Sequence, residues 1–241
     1  MSDRIPDDCI VFDTETTGFD PESGDRLVEL GAVRMRDGLP TSETFHRYIN
    51  PQRSVPDAAV KVHNLTARFL QDKPLFEEVV DPFLAFVGDL PLIAHNAAFD
   101  EKFINAELAR LGKAALPAAR FVDTVPIAKR RFPGQKVNLD ALCRKFRISL
   151  ESRDKHGALI DSELLAEVCV ELNGGRQSTL FSGFEPREAR VETTDEEIAP
   201  TETFVLEATS EERARHADLV AKIPNAIWEK YTTPEIREDA A

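Results

Sequence analysis

The sequence predicts an α/β domain, a mixed β-sheet flanked by helices, followed by a flexible C-terminal tail. Three observations predict it. An apolar, β-rich meander opens the chain, strand-like and helix-like stretches then alternate to about residue 173, and the composition changes after Gly175. A meander that leads into alternating β and α elements implies a sheet of mixed direction with helices packed on it.

The elements follow in order. Cys9–Thr16 and Leu27–Arg36 are apolar and rich in β-formers. Asp37-Gly38 is a turn signal, and a third strand over residues 44–49 ends at Asn50-Pro51. Helical spacing runs through Phe76–Val87, and Leu92–Ala94 reads as a short buried strand. Residues 99–111 are helical again, stopped by Gly112. Residues 121–125 read as one more strand and Leu139–Phe146 as a helix. A longer helix over 159–172 is ended by Gly174-Gly175. There is no internal repeat.

Residues 182–203 hold seven acids, two arginines and two prolines with almost no apolar period, the signature of a flexible acidic linker. A helix start returns at Thr209, three residues before Glu212 in capping-box spacing. Leu219, Val220, Ile223, Ile227, Trp228 and Tyr231 follow as an apolar set.

Composition narrows the function. The 241 residues carry 43 acids against 30 Lys and Arg, a formal charge of −13, and 42% are hydrophobic, which excludes wholesale disorder. The acidic excess argues against a binder that reads DNA by neutralising phosphates, though not against an enzyme that visits nucleic acid. The excess is uneven: residues 182–241 are net −8 and residues 1–181 net −5. No window approaches 18 uncharged apolar residues, and the first residues lack the apolar core of a signal peptide. Cys9, Cys143 and Cys169 are far apart and outside CxxC spacing, so they read as buried reduced thiols of a cytosolic protein.

Carboxylates fall where the pattern calls for apolar residues. Period-two alternation puts Cys9, Val11, Asp13 and Glu15 on one face of the first strand. Burying two such charges side by side costs several kcal/mol, on the order of the desolvation penalty, unless a cation or a donor meets them. Either they face a metal, or they cap a helix or pair with Arg26. Asp100 shares a helical stripe with Ile104, Leu108 and Leu111, and Asp161 one with Leu165, Val168 and Leu172. Each alone reads equally as an acid favoured by a helix N-terminus. Together, acids from a strand and two helices with no Cys/His cluster suit hard cations such as Mg²⁺ or Mn²⁺. Two such ions about 3.5–4 Å apart form the clamp for in-line displacement at phosphorus. His156 lies five residues before Asp161, an offset of about 140° on a helix. It therefore belongs to the preceding loop, either solvated or placed to take a proton from an attacking water.

Three motifs carry a resemblance. Phe12-Asp13-Thr14-Glu15-Thr16-Thr17-Gly18, His95-Asn96-Ala97-Ala98-Phe99-Asp100 and His156-Gly157-Ala158-Leu159-Ile160-Asp161 resemble, in order and spacing, the three exonuclease motifs of the DEDD 3′–5′ exonucleases. The HxxxxD form of the last belongs to the histidine subclass. Within it, Phe132-Pro133-Gly134 through Leu139-Asp140-Ala141-Leu142-Cys143 is similar to the epsilon proofreading subunits of bacterial DNA polymerase III.

The resemblance implies an RNase H-like fold over residues 1–175. It implies two ions, Mg²⁺ or Mn²⁺, held by Asp13, Glu15, Asp100 and Asp161, with His156 as general base. The implied substrate is a DNA 3′ end, shortened by one deoxynucleoside monophosphate at a time. Thr14, Glu15, His63 and Phe99 lie where relatives contact the terminal nucleotide. Asn64 follows His63 where the family pattern has glycine, and His95 and Asn96 are as well placed to fix a turn as to touch substrate. Gln177-Ser178-Thr179-Leu180-Phe181, within residues 176–181, resembles a sliding-clamp-binding pentapeptide, with Leu180 and Phe181 as apolar anchors and Gln177 as the polar contact. Residues 204–241 resemble the segment that docks on the polymerase III alpha subunit. The implied location is the cytoplasm, at the replisome. Two other readings are an RNA-directed DEDD exonuclease and a non-catalytic scaffold of the polymerase.

Overall fold

The computed structural model describes residues 4–150, 156–175 and 209–223. Five strands form one mixed sheet: β1 (Cys9–Thr16), β2 (Leu27–Arg36), β3 (Leu39–Tyr48), β4 (Leu92–Ala94) and β5 (Phe121–Asp123). Their spatial order is β3-β2-β1-β4-β5, with β1–β2 and β2–β3 antiparallel and β1–β4 and β4–β5 parallel. Between and after them run α1 (Asp57–His63), α2 (Ala67–Leu70), α3 (Phe76–Val87), α4 (Ala97–Arg110), α5 (Thr124–Arg131), α6 (Leu139–Phe146) and α7 (Ala158–Leu172).

Alternation along β1 separates two cores. Ile10 and Phe12 pack with Phe83 of α3 and with Phe103, Ile104 and Leu108 of α4. Cys9 and Val11 face the other way, with Leu142 of α6 and Leu165, Val168 and Cys169 of α7. All three cysteines are buried, unbridged thiols. Among the described residues no helix is long and apolar enough to cross a membrane.

Several boundaries differ from the sequence expectation, each for a local reason. The third strand starts at Leu39, not residue 44, because it lies at the sheet edge, where most of its side chains are exposed and leave no apolar alternation. The strand expected over 121–125 stops at Asp123, whose carboxylate accepts from the Val125 N–H and caps α5, a helix the sequence reading missed. The second-motif helix begins at Ala97 instead of 99, and α7 at Ala158 instead of 159. The short helices α1 and α2 were also not anticipated. Asn64, in place of the glycine expected there, takes the left-handed conformation (φ 62°) that ends α1, and asparagine is one of the few residues besides glycine that tolerate it.

Residues 209–223 belong to a second unit and hold an exposed helix α8 (Ser210–Val220) started by the expected Thr209/Glu212 capping box. The 176–181 pentapeptide with Gln177, Leu180 and Phe181, the 182–203 linker and the remainder of 204–241 lie outside the described residues.

One contact sets where α7 meets the sheet. At Gly31 in β2, an added Cβ would stand 2.2 Å from the Leu159 nitrogen and 2.3 Å from the Ala158 carbonyl carbon. The Ser162 hydroxyl bonds the Gly31 carbonyl at 3.0 Å, fixing the first turn of α7 on the strand. Gly31→Ala is expected to destabilise the protein by about 2–3 kcal/mol or more, because backbone rather than a side chain must move. Chemical denaturation checks this; an unchanged midpoint would contradict it.

Candidate active site

The site is assembled at the C-terminal ends of β1 and β4, the usual ligand edge of a sheet with parallel strands. On β1, Asp13 and Glu15 continue the face of Cys9 and Val11 and so point toward α7. Thr14 points the other way, toward α4, where its hydroxyl donates to Asp100 Oδ1 at 2.7 Å. Asp100 and Asp161 sit in the first turns of α4 and α7, both buried (3% and 4% exposed). The strand therefore bridges two helices through alternate residues.

Electrostatics reflect the crowding. Burial first, and then the Asp100, Glu15, Asp161 and Glu29 carboxylates, push Asp13 well above the usual carboxylate range. Burial pushes Asp100 up to about 7, against the lowering effect of the Thr14 hydrogen bond. Arg26, the alternative partner considered for the β1 acids, is turned away and forms a bidentate pair with Glu107.

His156 precedes the Gly157 N-cap of α7, on a loop as expected, and its Nδ1 lies 3.0 Å from Asp161 Oδ2. A carboxylate accepts there, so Nδ1 is the donor of the pair. Glu15, Asp161 and His156 each offer a ligand atom, all within 4.8 Å of one another. Two buried carboxylates beside an exposed imidazole, with Asp13 crowded against them, fit a divalent cation, which would supply the positive charge that keeps the carboxylates ionised.

Beside the carboxylates opens a cavity of about 390 Å³, lined by Thr14, Glu15, Phe19, Val62, His63 and Phe99 among others. It brings together all four residues singled out for substrate contact. His63 is buried, its Nδ1 accepts from the Leu65 N–H at 3.0 Å, and burial lowers its pKa, so it is a neutral imidazole with its proton on Nε2. Phe19 stands 87% exposed at the rim. His95 and Asn96 do not line it. The His95 Nδ1 pairs with Thr124 Oγ1 at 2.8 Å, and Asn96 turns the chain in the left-handed region, its N–H donating to Asp123.

The family model described as Exonuclease matches residues 10–169. DNA polymerase III subunit epsilon of Rickettsia felis is 45% identical over 219 residues, spanning 89% of this chain and 96% of that protein. The chain belongs to the DNA polymerase III subunit epsilon family. The Escherichia coli K12 member is 37% identical over 227 residues, 88% of this chain and 93% of its own. The fold is also that of exonuclease X, solved in complex with 5′ overhanging duplex DNA, with a TM-score of 0.56 at 24% identity over 73% of this chain and 93% of that one.

Reading the sequence missed two buried acids near the site of this epsilon-family member. Glu29 lies directly opposite Glu15 on β2 and bonds His46 Nε2 at 2.7 Å. Glu107 lies two turns beyond Asp100 on the same stripe of α4. The signal for both was present: Glu29 is a lone acid inside an apolar run, and Glu107 shares a helical stripe with Ile104 and Leu111.

A carboxylate whose folded pKa is raised holds, in the folded chain, a proton that the unfolded chain has already released. Its contribution to stability is full below the unfolded value near 3.8 and is lost as pH rises through the folded value, about 7 for Asp100. Mg²⁺ or Mn²⁺ is therefore expected to raise the Tm more at pH 8 than at pH 6. Thermal melts with and without EDTA check this; an equal shift at both pH values would contradict it.

Proposed function

We propose that this proofreading 3′–5′ exonuclease removes mispaired 3′-terminal deoxynucleotides as monophosphates, with Asp13, Glu15, Asp100 and Asp161 holding two divalent cations, Mg²⁺ or Mn²⁺. Support comes from one observation above all: in an epsilon-family chain, Asp13 is crowded by Asp100, Glu15 and Asp161, His156 bonds Asp161, and Glu15 also lines a nucleotide-sized cavity. Bound there, the cations would supply Lewis-acid stabilisation of charge at phosphorus.

The chain's own residues do the rest. The cavity takes the terminal nucleotide, with Phe99 and Val62 giving apolar contact to base and sugar and the neutral His63 giving polar contact beside the Thr14–Glu15 backbone. His156, oriented by Asp161 through Nδ1, accepts the proton of the attacking water at Nε2. Thr14 holds Asp100 in place. Water attacks phosphorus, the bond to the upstream 3′ oxygen breaks, and that oxygen leaves protonated from solvent.

In the same reading Gln177, Leu180 and Phe181 bind the sliding clamp, residues 182–203 are a linker, and residues 204–241 dock on the polymerase III alpha subunit, in the cytoplasm. Residues 1–181 carry a net charge of −5, four of it on the proposed ligands. That surface offers DNA little general attraction, so the isolated chain works distributively and its partners hold the template.

A 5′-labelled primer–template with a 3′ mismatch tests this. A ladder shortening from the 3′ end is expected with Mg²⁺, lost with EDTA or in Asp13→Ala, and slowed about 10²–10⁴-fold in His156→Ala. No ladder from folded protein, or a preference for RNA ends, would contradict the proposal.

A further inference from the structure

We propose that Glu107 is a positioning residue that sets the width of the nucleotide cavity by clamping the loop of residues 17–26 to α4; this rests on the cavity being where the terminal nucleotide binds. One wall of the cavity is that loop, through Thr17, Gly18 and Phe19, and the opposite wall includes Phe99 at the start of α4. Nothing in the reaction itself uses Glu107, yet its side chain is 2% exposed and carries a dense set of contacts.

Its two oxygens receive Arg26 Nε at 2.6 Å and Nη2 at 2.9 Å, a bidentate pair, and Oε1 also accepts Arg110 Nη1 at 3.0 Å. Arg110 in turn donates through Nη2 to the Pro21 carbonyl at 2.9 Å. Both ends of the loop's second half are thus tied to the helix that carries Asp100. Seven residues separate Asp100 from Glu107, so both lie on one stripe of α4, one meeting β1 and the other the loop that leaves β1.

Within the loop the ties are internal and rigid. Asp25 accepts from the Thr17 hydroxyl and the Asp20 N–H, and it packs so closely on Gly18 that a Cβ there would meet its carboxylate at 2.2 Å. A loop braced this way moves as a body. It is fastened to residues 51–53 by Arg53 with Asp25 at 3.1 Å and by Arg26 with the Pro51 carbonyl, and its distance from Phe99 on α4 is set by its two ties to that helix: at Glu107 and, on the exposed side, by Lys102 with Asp20 at 2.7 Å. Releasing either fastening widens the cavity without touching the carboxylates or His156.

The test uses the full chain with a 5′-labelled single-stranded oligodeoxynucleotide, and dTMP as a competing product. In Glu107→Gln and in Arg26→Lys, which lacks the guanidinium fork, KM and the dTMP inhibition constant are expected to rise together by about 5–20-fold. The kcat should stay within about twofold, and amide exchange across residues 17–26 should accelerate without any metal present. Lys102→Ala, an exposed pair contributing little to stability, should raise both constants about 2–3-fold with no change in Tm, and it decides the matter if Glu107→Gln does not fold. A fall in kcat at constant KM, or no change in KM and the inhibition constant in folded variants, would overturn the clamp while leaving the exonuclease reading intact. A wild-type chain that releases no nucleotide from the 3′ end would instead remove the reading on which the clamp rests.

Discussion

Like charge held in a buried place is the constraint on which the rest depends. Burial, and then repulsion from Asp100, Glu15 and Asp161, raises Asp13 well above the ordinary carboxylate value, and burial raises Asp100 to about 7. A fold tolerates this only if its surroundings over-determine the arrangement and a cation completes it. The strand and the two helix starts are placed by the two cores flanking β1, the Gly31 contact beneath α7 and the Glu107 ion pairs on α4, while the loop histidine is held by Asp161 itself.

That division of labour explains the alternation of β1. Odd residues face α7 and supply two carboxylates, while Thr14 faces α4 and tethers Asp100. A single strand therefore sets the distance between two helices that never need to touch at the site. The same economy appears on α4, where one stripe of the helix carries both a site carboxylate and the anchor of the neighbouring loop.

Much of this was legible in the sequence, and the failures are instructive. Phe76–Val87, Leu92–Ala94 and Leu139–Phe146 match the structure to the residue, because each has a strong apolar pattern and clear end signals. The start of α5 was lost because Asp123-Thr124-Val125 is β-rich in composition while the Asp123 side chain caps a helix, a local hydrogen bond that propensity does not register. Acids on apolar stripes exposed Asp100 and Asp161. The same logic applied to Glu29 and Glu107 would have found them, but their hydrogen-bonding partners, His46 and Arg26, come from elsewhere in the fold and leave no mark at nearby sequence positions.

The proposed pair of divalent cations on the site carboxylates is tested most directly by counting the ions. Titrating Mn²⁺ into the full chain at pH 8 with dTMP present, and following the loss of the free-ion electron paramagnetic resonance signal, should give two ions per chain, with at least one lost in Asp13→Asn. Tight binding that ignores Asp13, or no binding to folded protein, would contradict it.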